Sequence, residues 1–190
     1  MSQSNTHTHD YTVGQKIIHW LMALVIMLDL FVANKFGGVM EEWDRLESRS
    51  DHATLGTIVA ILFVIRLILR WRNGAPALPQ DMIHWQVRAA KAGHGLLYFL
   101  IGFLIVSGIV TAINATNPIT LFGALDITIG QSADNTFVFL RQFHEFATNA
   151  VIALIVIHVV AALYHHFVAK HDLTLNMLKF WRRVDASSDT

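Results

Sequence analysis

The sequence predicts an all-α integral membrane protein, a bundle of four transmembrane helices. Of its 190 residues, 54% are hydrophobic and only 15% are charged, which lies outside the balance of a soluble domain. Four separate apolar stretches reach the roughly 20 residues that a helix needs to cross the hydrocarbon core of a bilayer. Acidic and basic residues are equally numerous, 14 of each, so the overall charge does not favour nucleic acid as a partner.

The four expected spans make up one bundle domain, 17–169. They cover residues 17–36, 52–71, 92–113 and 139–169. A polar N-terminal segment, 1–16, precedes them, and a polar tail, 170–190, follows them. The N-terminal segment shows neither the basic region nor the cleavage site of a secretion signal, so the first span is expected to remain in the mature chain.

The basic residues predict the direction of the chain. Ten of the 14 Lys and Arg residues lie on the side of the bilayer that carries both termini, and four lie on the other side. Because cytoplasmic loops carry an excess of Lys and Arg, both termini are expected in the cytoplasm. The four on the opposite side are Lys35, Arg45, Arg49 and Arg141.

Histidines are the main candidate metal ligands of this chain. The sequence has no cysteine, which excludes disulfides, thiolate metal sites and the covalent attachment of c-type haem. Of the 11 histidines, those within the expected spans are functional candidates, because ionisable groups are costly in lipid and usually face the bundle interior. They are His19, His52, His94, His144 and His158.

The histidines of the fourth span predict two layers of ligands. His144 and His158 are 14 residues apart, nearly four helical turns, so they share a face and are separated by about 21 Å along the axis. His144 then lies at the depth of His52, and His158 at the depth of His19. Two imidazoles on opposite faces of one iron are what a low-spin b-type haem needs. The two pairs therefore favour electron transfer through the bilayer.

Other interpretations of these histidines stay open. A single histidine at a helix end is commonly an interfacial residue that binds no metal. A histidine-based transporter of protons or divalent metal would also tolerate buried histidines, but it does not require the 14-residue spacing. Acidic residues near mid-membrane, common in transporters, are not evident apart from Asp29, whose role the sequence leaves open.

Short motifs surround the histidines of the spans. They are Ile18-His19-Trp20, Asp51-His52 with Gly56, Arg66-Leu67-Ile68-Leu69-Arg70, Ala92-Gly93-His94, Phe143-His144-Glu145, and His158 followed by Ala161-Ala162-Leu163-Tyr164-His165-His166-Phe167. In their order and spacing they resemble the bacterial cytochrome b561 family, relatives of the cytochrome b subunits of nickel-iron hydrogenases and formate dehydrogenases. The resemblance covers about residues 11–180.

The resemblance implies an inner-membrane protein with two non-covalent haems b. Carried onto this sequence, the axial ligands are His52 with His144 near the periplasm and His19 with His158 near the cytoplasm, the same pairs that the spacing predicts. It also implies electron exchange with a quinone and, in some members, a periplasmic donor such as superoxide. An alternative is a haem-bearing membrane anchor for a separate oxidoreductase. Whether the chain is itself an enzyme, and whether it forms a homodimer, stays open.

Two polar residues at the cytoplasmic depth are expected to support the inner haem. Arg66 lies 14 residues after His52, on the same helix face, where a contact with a haem propionate and simple anchoring at the interface are equally good interpretations. His94 is expected to contact a quinone or a propionate, although it could also replace His19 or His158 as a ligand.

Two further regions carry open alternatives. His165 and His166 lie near the cytoplasmic surface, where a propionate contact, proton uptake and plain solvation all fit, and solvation is expected for at least one of them. The loop 115–136 carries several apolar residues that would either cover the outer haem or pack at the interface.

Overall fold

The fold is built from four long helices. The computed structural model describes residues 10–35, 41–79, 81–129, 134–171 and 173–179. Within these ranges the chain forms four long helices, a two-stranded antiparallel hairpin and one short helix. In chain order they are α1 (Val13–Lys35), α2 (Glu42–Asn73), α3 (His84–Ile113), β1 (Thr120–Leu121), β2 (Leu125–Asp126), α4 (Asp134–Phe167) and α5 (Leu173–Leu178).

The surface of the long helices is that of a membrane protein. Each of α1 to α4 is long and apolar enough to cross a bilayer. Large apolar side chains point outward along them, with Phe31 and Phe99 each 66% exposed and Phe146 75% exposed. Such an apolar surface would be unfavourable in water but is the expected surface in lipid. The predicted all-α bundle of four membrane helices is confirmed.

The helices extend beyond the apolar stretches that mark the expected spans. Helix α2 has 32 residues, or about 48 Å at 1.5 Å per residue, against a hydrocarbon core of about 30 Å. Its first turn carries Glu42 and Asp44, which the positive end of the helix dipole stabilises. The apolar stretch therefore marks only the part of α2 that lies in lipid, and the charged start of the helix projects beyond the hydrocarbon core.

The bundle consists of two closely packed helix pairs. Helix α1 packs along α2 and α3 along α4, with a smaller contact between α2 and α3. The buried core lies between α1, α2 and α3 and comprises Met22, Val25, Val59, Leu62 and Ile101. Within the described residues, α4 has extensive backbone contacts only with α3 and α5. Helix α4 therefore stands back from α1 and α2.

One end of the bundle, here called the hairpin end, carries the β1–β2 hairpin. Backbone N–H groups of Thr120 and Phe122 donate to Ser50 Oγ at 3.1 Å and Thr54 Oγ1 at 2.9 Å. Both acceptors lie on α2, two residues before and after His52. The hairpin thus lies against the start of α2 beside that histidine. Of the loop that the sequence singled out, residues 130–133 lie outside the described residues.

The opposite end, here called the terminal end, holds the first and last described residues. Lys16 is only 3% exposed; its Nζ forms an ion pair with Asp10 at 2.8 Å and donates to the carbonyl of Lys179 at 2.7 Å. Trp20 Nε1 donates to the carbonyl of Met177 at 3.1 Å. Lys16, which the sequence marks only as a cation on the terminal side, therefore fastens the residues after α4 to the start of α1.

Candidate functional site

The first histidine pair lies at the hairpin end. His52 on α2 and His144 on α4 face each other with ring centroids 6.0 Å apart and ring planes inclined by 68°. Two imidazoles that bind one metal from opposite sides have centroids about 6 Å apart, because each nitrogen lies about 2 Å from the metal and each centroid about 1 Å beyond its nitrogen. The separation of this pair fits a single metal between the two rings.

Hydrogen bonds fix which nitrogen of His52 would face a metal. His52 Nδ1 lies 2.6 Å from Oδ1 of Asp29 on α1, whose side chain is only 15% exposed. A carboxylate accepts hydrogen bonds, so this contact holds the proton on Nδ1 and makes Nε2 the ligating nitrogen. Asp29, whose role the sequence leaves open, therefore orients His52.

His144 is held in the same way by α3. Its Nδ1 lies 2.9 Å from Ser107 Oγ, and that hydroxyl donates to the carbonyl of Leu104 at 3.2 Å. The Ser107 oxygen can then accept from Nδ1–H, which again leaves Nε2 as the ligating nitrogen. Gly108 on α3 leaves room for the His144 ring, because a Cβ at this position would come 3.1 Å from Cε1 of His144. Sequence reasoning missed Ser107, although a hydroxyl within an apolar span, beside a glycine, is a usable signal.

The second pair lies closer to the terminal end. His19 on α1 and His158 on α4 have ring centroids 6.5 Å apart and ring planes inclined by 68°, close to the values of the first pair. Both pairs bridge α4 to the α1–α2 pair across the wider gap of the bundle. A flat macrocycle between two imidazoles requires such a gap, because closely packed backbones would exclude it.

His94 also contacts this second pair, from α3. Its ring centroid is 5.4 Å from that of His158, with planes inclined by 85°, and its Nδ1 hydrogen-bonds the carbonyl of Ala90 at 2.7 Å. This separation is shorter than the roughly 6 Å of two imidazoles across one metal. Helices α3 and α4 are also closely packed. The geometry therefore favours His19 over His94 as the residue opposite His158.

Arg66 lies with the same cluster. Its guanidinium carbon is 5.8 Å from the ring centroid of Tyr98 on α3 and within electrostatic range of His19 and His158. The side chain is half-buried. The position agrees with the face and depth that the 14-residue spacing from His52 predicts. It suits a contact with an anionic group at the terminal end of the bundle.

The histidines of the spans meet as pairs rather than as a larger metal cluster. Among the residues that the structure describes, no group of three or more His, Cys, Asp or Glu side chains could hold a metal ion. A haem iron needs only two protein ligands, because the porphyrin supplies the other four. The donor set of two opposed neutral imidazoles in each layer fits haem.

A cavity at the hairpin end is lined in part by Arg49, one helical turn before His52 of the first pair. Its volume is about 430 Å³, and it lies between the start of α2, the residues after α3 and the start of α4. Arg45 and Arg49, one turn apart, line it together with Glu42, and the guanidinium carbon of Arg49 lies 5.9 Å from the ring centroid of Phe137. The remaining lining residues are Leu46, Thr116, Asn117 and Phe137.

A third arginine lies near the two that line this cavity. Arg141 is within electrostatic range of Arg49 and forms an ion pair with Glu145 at 2.6 Å. Arg49 precedes His52 by three residues and Arg141 precedes His144 by three, so both cations lie about one helical turn from the first pair. Three of the four basic residues that the sequence assigns to this side therefore lie close together.

Comparison with known proteins agrees with this geometry. The model of one family, prokaryotic cytochrome b561, matches residues 10–180. The chain is similar to cytochrome b561 homolog 2 of Escherichia coli (strain K12), with 28% identity over 94% of this chain and 95% of that protein. It is also similar to cytochrome b561 homolog 1 of the same organism, with 25% identity over 88% of this chain and 96% of the relative.

A third relative is named for a redox reaction. It is the probable superoxide oxidase CybB of Yersinia pestis, 25% identical over 88% of this chain and 95% of that protein. The family match covers all four long helices and both histidine pairs. The chain therefore belongs to the prokaryotic cytochrome b561 family, whose members are electron-transfer proteins of bacterial membranes that carry b-type haem.

Proposed function

We propose that this chain holds two haems b and transfers electrons across the bacterial inner membrane, from a periplasmic donor to quinone. The proposal rests on two similar imidazole pairs, with ring centroids 6.0 Å apart in one and 6.5 Å apart in the other. The members of the two pairs on α4, His144 and His158, are 14 residues apart. His52 with His144 would hold the outer haem, and His19 with His158 the inner one. Bound haem supplies a one-electron couple between ferric and ferrous iron.

The residues around each pair favour electron transfer over chemistry at the metal. Two imidazoles opposite one another leave no open axial position for a substrate. Asp29 and Ser107 hold the outer imidazoles in one orientation, so the ligands need little rearrangement when an electron arrives. This arrangement is suited to passing electrons from layer to layer.

The distribution of basic residues supports the direction of the chain. The terminal end is the side with ten of the 14 Lys and Arg residues, so it faces the cytoplasm under the positive-inside rule. The hairpin end, with the cavity and the outer pair, then faces the periplasm.

The cavity supports an anionic donor on the periplasmic side. Arg45 and Arg49 line it, two turns and one turn before His52, and cations in a cleft attract and steer anions. Superoxide is the anion that we propose, and the relative named a probable superoxide oxidase supports it. Two superoxide ions each give up one electron and leave as O2, while one quinone takes two electrons and two protons. At the terminal end, His94 and Arg66 would contact the quinone or a propionate.

The proposal is tested with the purified, haem-loaded chain in vesicles that contain a quinone. Superoxide generated outside the vesicles is expected to reduce the haems and then the quinone, with release of O2. Haem reduction without any quinol formation would contradict the quinone step. Failure of the isolated chain, with activity restored by a co-purified partner, would favour the alternative of a membrane anchor.

Arg49→Gln is expected to slow haem reduction by superoxide by about tenfold at low salt, the lower end of electrostatic steering effects. The variant removes a charge beside the cavity, so high salt should shrink the difference. Stopped-flow absorbance of the haems measures the rate. Arg72→Gln, which removes an exposed charge at the other end of α2, is the matched control. If Arg49→Gln slows haem reduction by an uncharged reductant equally, electrostatic steering of superoxide is contradicted.

Asp29→Asn is expected to raise the reduction potential of the outer haem. The carboxylate adds negative charge and makes the His52 imidazole a stronger donor, and both effects favour ferric iron. If the preference of the outer haem for the ferric state falls tenfold, its reduction potential rises by about 59 mV. A redox titration followed by haem absorbance measures both potentials, with the exposed Asp44→Asn as control. An unchanged outer potential would show that Asp29 does not tune the site.

A further inference from the structure

Two histidines and an aspartate from three segments meet at the terminal end of the bundle. Asp81 lies in the link between α2 and α3, His165 in the last turn of α4, and His171 in the link between α4 and α5. None of them belongs to the imidazole pairs described above. The sequence leaves the role of His165 open, and His171 lies in the polar tail that follows the expected spans.

The three side chains form a chain of polar contacts that begins at the surface. The Asp81 side chain is 73% exposed, and its Oδ2 lies 3.3 Å from Nε2 of His171. The His171 side chain is only 10% exposed, and its Nδ1 lies 3.0 Å from Nδ1 of His165. The two rings are nearly coplanar, with planes inclined by 22° and centroids 5.2 Å apart, so their Nδ1 atoms meet edge to edge. A largely buried imidazole thus connects an exposed carboxylate to the end of α4.

The backbone fixes this arrangement. Lys170 adopts a left-handed conformation with φ of 55°, which turns the chain back on the end of α4. The N–H of His171 then donates to the carbonyl of His165 at 2.8 Å. The ring of Tyr164 lies 5.5 Å from that of His165 on the same helix. The contact between the two imidazoles is therefore held by both main chain and side chains.

The contact between the two Nδ1 atoms has two equivalent proton positions. A single proton bridges them, and either imidazole can be the donor. When that proton moves from His171 to His165, His165 can release a proton from its Nε2, while His171 takes one up at its own Nε2 on the side of Asp81. One proton enters and one leaves, and ring rotation resets the pair.

His165, the inner residue of these three, lies on the same helix as His158 of the proposed inner haem layer. His165 follows His158 by seven residues, two helical turns, so the two lie on nearly the same face of α4 about 10 Å apart along the axis. The proposed quinone contacts, His94 and Arg66, belong to the layer of His158. A proton that leaves His165 would therefore have to travel about 10 Å along α4 to reach an acceptor in this layer.

We propose that Asp81, His171 and His165 form a proton relay that delivers protons from the cytoplasmic surface to a quinone reduced at the inner haem. The inference rests on the proposed function, because it requires quinone reduction at the terminal end. Each quinone takes two electrons from the haem and two protons, and its two carbonyl groups become hydroxyl groups. The relay supplies these protons one at a time.

The test compares His171→Ala and His165→Ala with the matched control His166→Ala, all as the full haem-loaded chain in quinone vesicles. Both relay variants are expected to form quinol about tenfold more slowly, less than the hundredfold typical of a positioned proton-transfer group because water can take over part of the transfer. Haem content and haem reduction by dithionite, which needs no relay, are expected to stay unchanged. Added imidazole is expected to restore the rate of His171→Ala.

A second variant and a second readout separate relay from structure. Asp81→Asn alters an exposed side chain and is expected to slow quinol formation without changing the haem spectrum. The rate ratio between H2O and D2O is expected to increase in all three relay variants and not in His166→Ala. Wild-type rates of quinol formation in the relay variants, or no rescue of His171→Ala by imidazole, would overturn the proposed relay but leave the proposed quinone reduction standing. A wild-type chain that holds haem but does not reduce quinone would overturn the proposed quinone step and the relay with it.

Discussion

Replacement of His144 by alanine is expected to lower the haem content from about two to about one per chain. The variant removes one of two opposed ligands, and Ser107, which holds the imidazole, cannot take its place because a hydroxyl is a poor haem ligand. His52→Ala is expected to have the same effect, and the double variant no larger one, because both residues serve one site. Haem extraction and the reduced-minus-oxidised spectrum measure the result.

The loss of the outer haem is also expected to stop electron transfer from the periplasmic side. Mutation of a residue that only supports a metal ligand typically lowers metal affinity or activity ten- to hundredfold. Because His144 is itself a proposed ligand, the superoxide-driven rate should fall by more than about a hundredfold. The haem held by His19 and His158 should keep its spectrum. His166→Ala, on the same helix, is the matched control. A His144→Ala chain that retains both haems would rule out the proposed outer pair.

At the inner site, His158→Ala and His19→Ala are each expected to remove the second haem, whereas His94→Ala is expected to keep it. All three rings lie together, but the 6.5 Å between His19 and His158 fits an iron between them and the 5.4 Å between His94 and His158 does not. Haem content and the spectrum of the remaining haem give the result for each variant. His94→Ala should instead weaken the reaction with quinone.

The opposite pattern would identify another ligand. Loss of haem in His94→Ala together with its retention in His19→Ala would place His94 opposite His158. The comparison is internally matched, because each variant removes one imidazole from the same cluster.

The histidine pairs could be predicted because a single helix fixes them. Once α4 is a helix, the 14-residue spacing sets both the shared face and the depth of His144 and His158. The depths of His19 and His52 then follow from the direction of each span. Helical periodicity and bilayer thickness are enough for this step, and neither requires knowledge of how the helices are rotated.

Contacts that depend on helix rotation could not be predicted in the same way. The bond between Asp29 and His52 joins two helices, and which residue of α1 faces α2 depends on packing that apolar spans do not specify. The same holds for Ser107 and His144. The sequence leaves the role of Asp29 open, and only the packed bundle shows its contact with His52.

The cationic cavity depends on a part of α2 that apolarity does not reveal. Glu42, Arg45 and Arg49 precede the apolar stretch of α2. From the sequence, such a charged segment between two spans is predicted to be a polar link and not part of a helix. Its helical extension brings these residues against the start of α4. The relay at the other end likewise needs two links and the last turn of α4 to converge, which the order of residues along the chain does not determine.

The most direct test of the two-layer arrangement is the haem content and redox titration of the wild-type chain. Purified in detergent, it is expected to show a b-type reduced-minus-oxidised spectrum, about two haems per chain and two resolved one-electron steps. A chain that binds about one haem would contradict the second layer. A chain that binds none would contradict the haem-ligand roles of all four histidines.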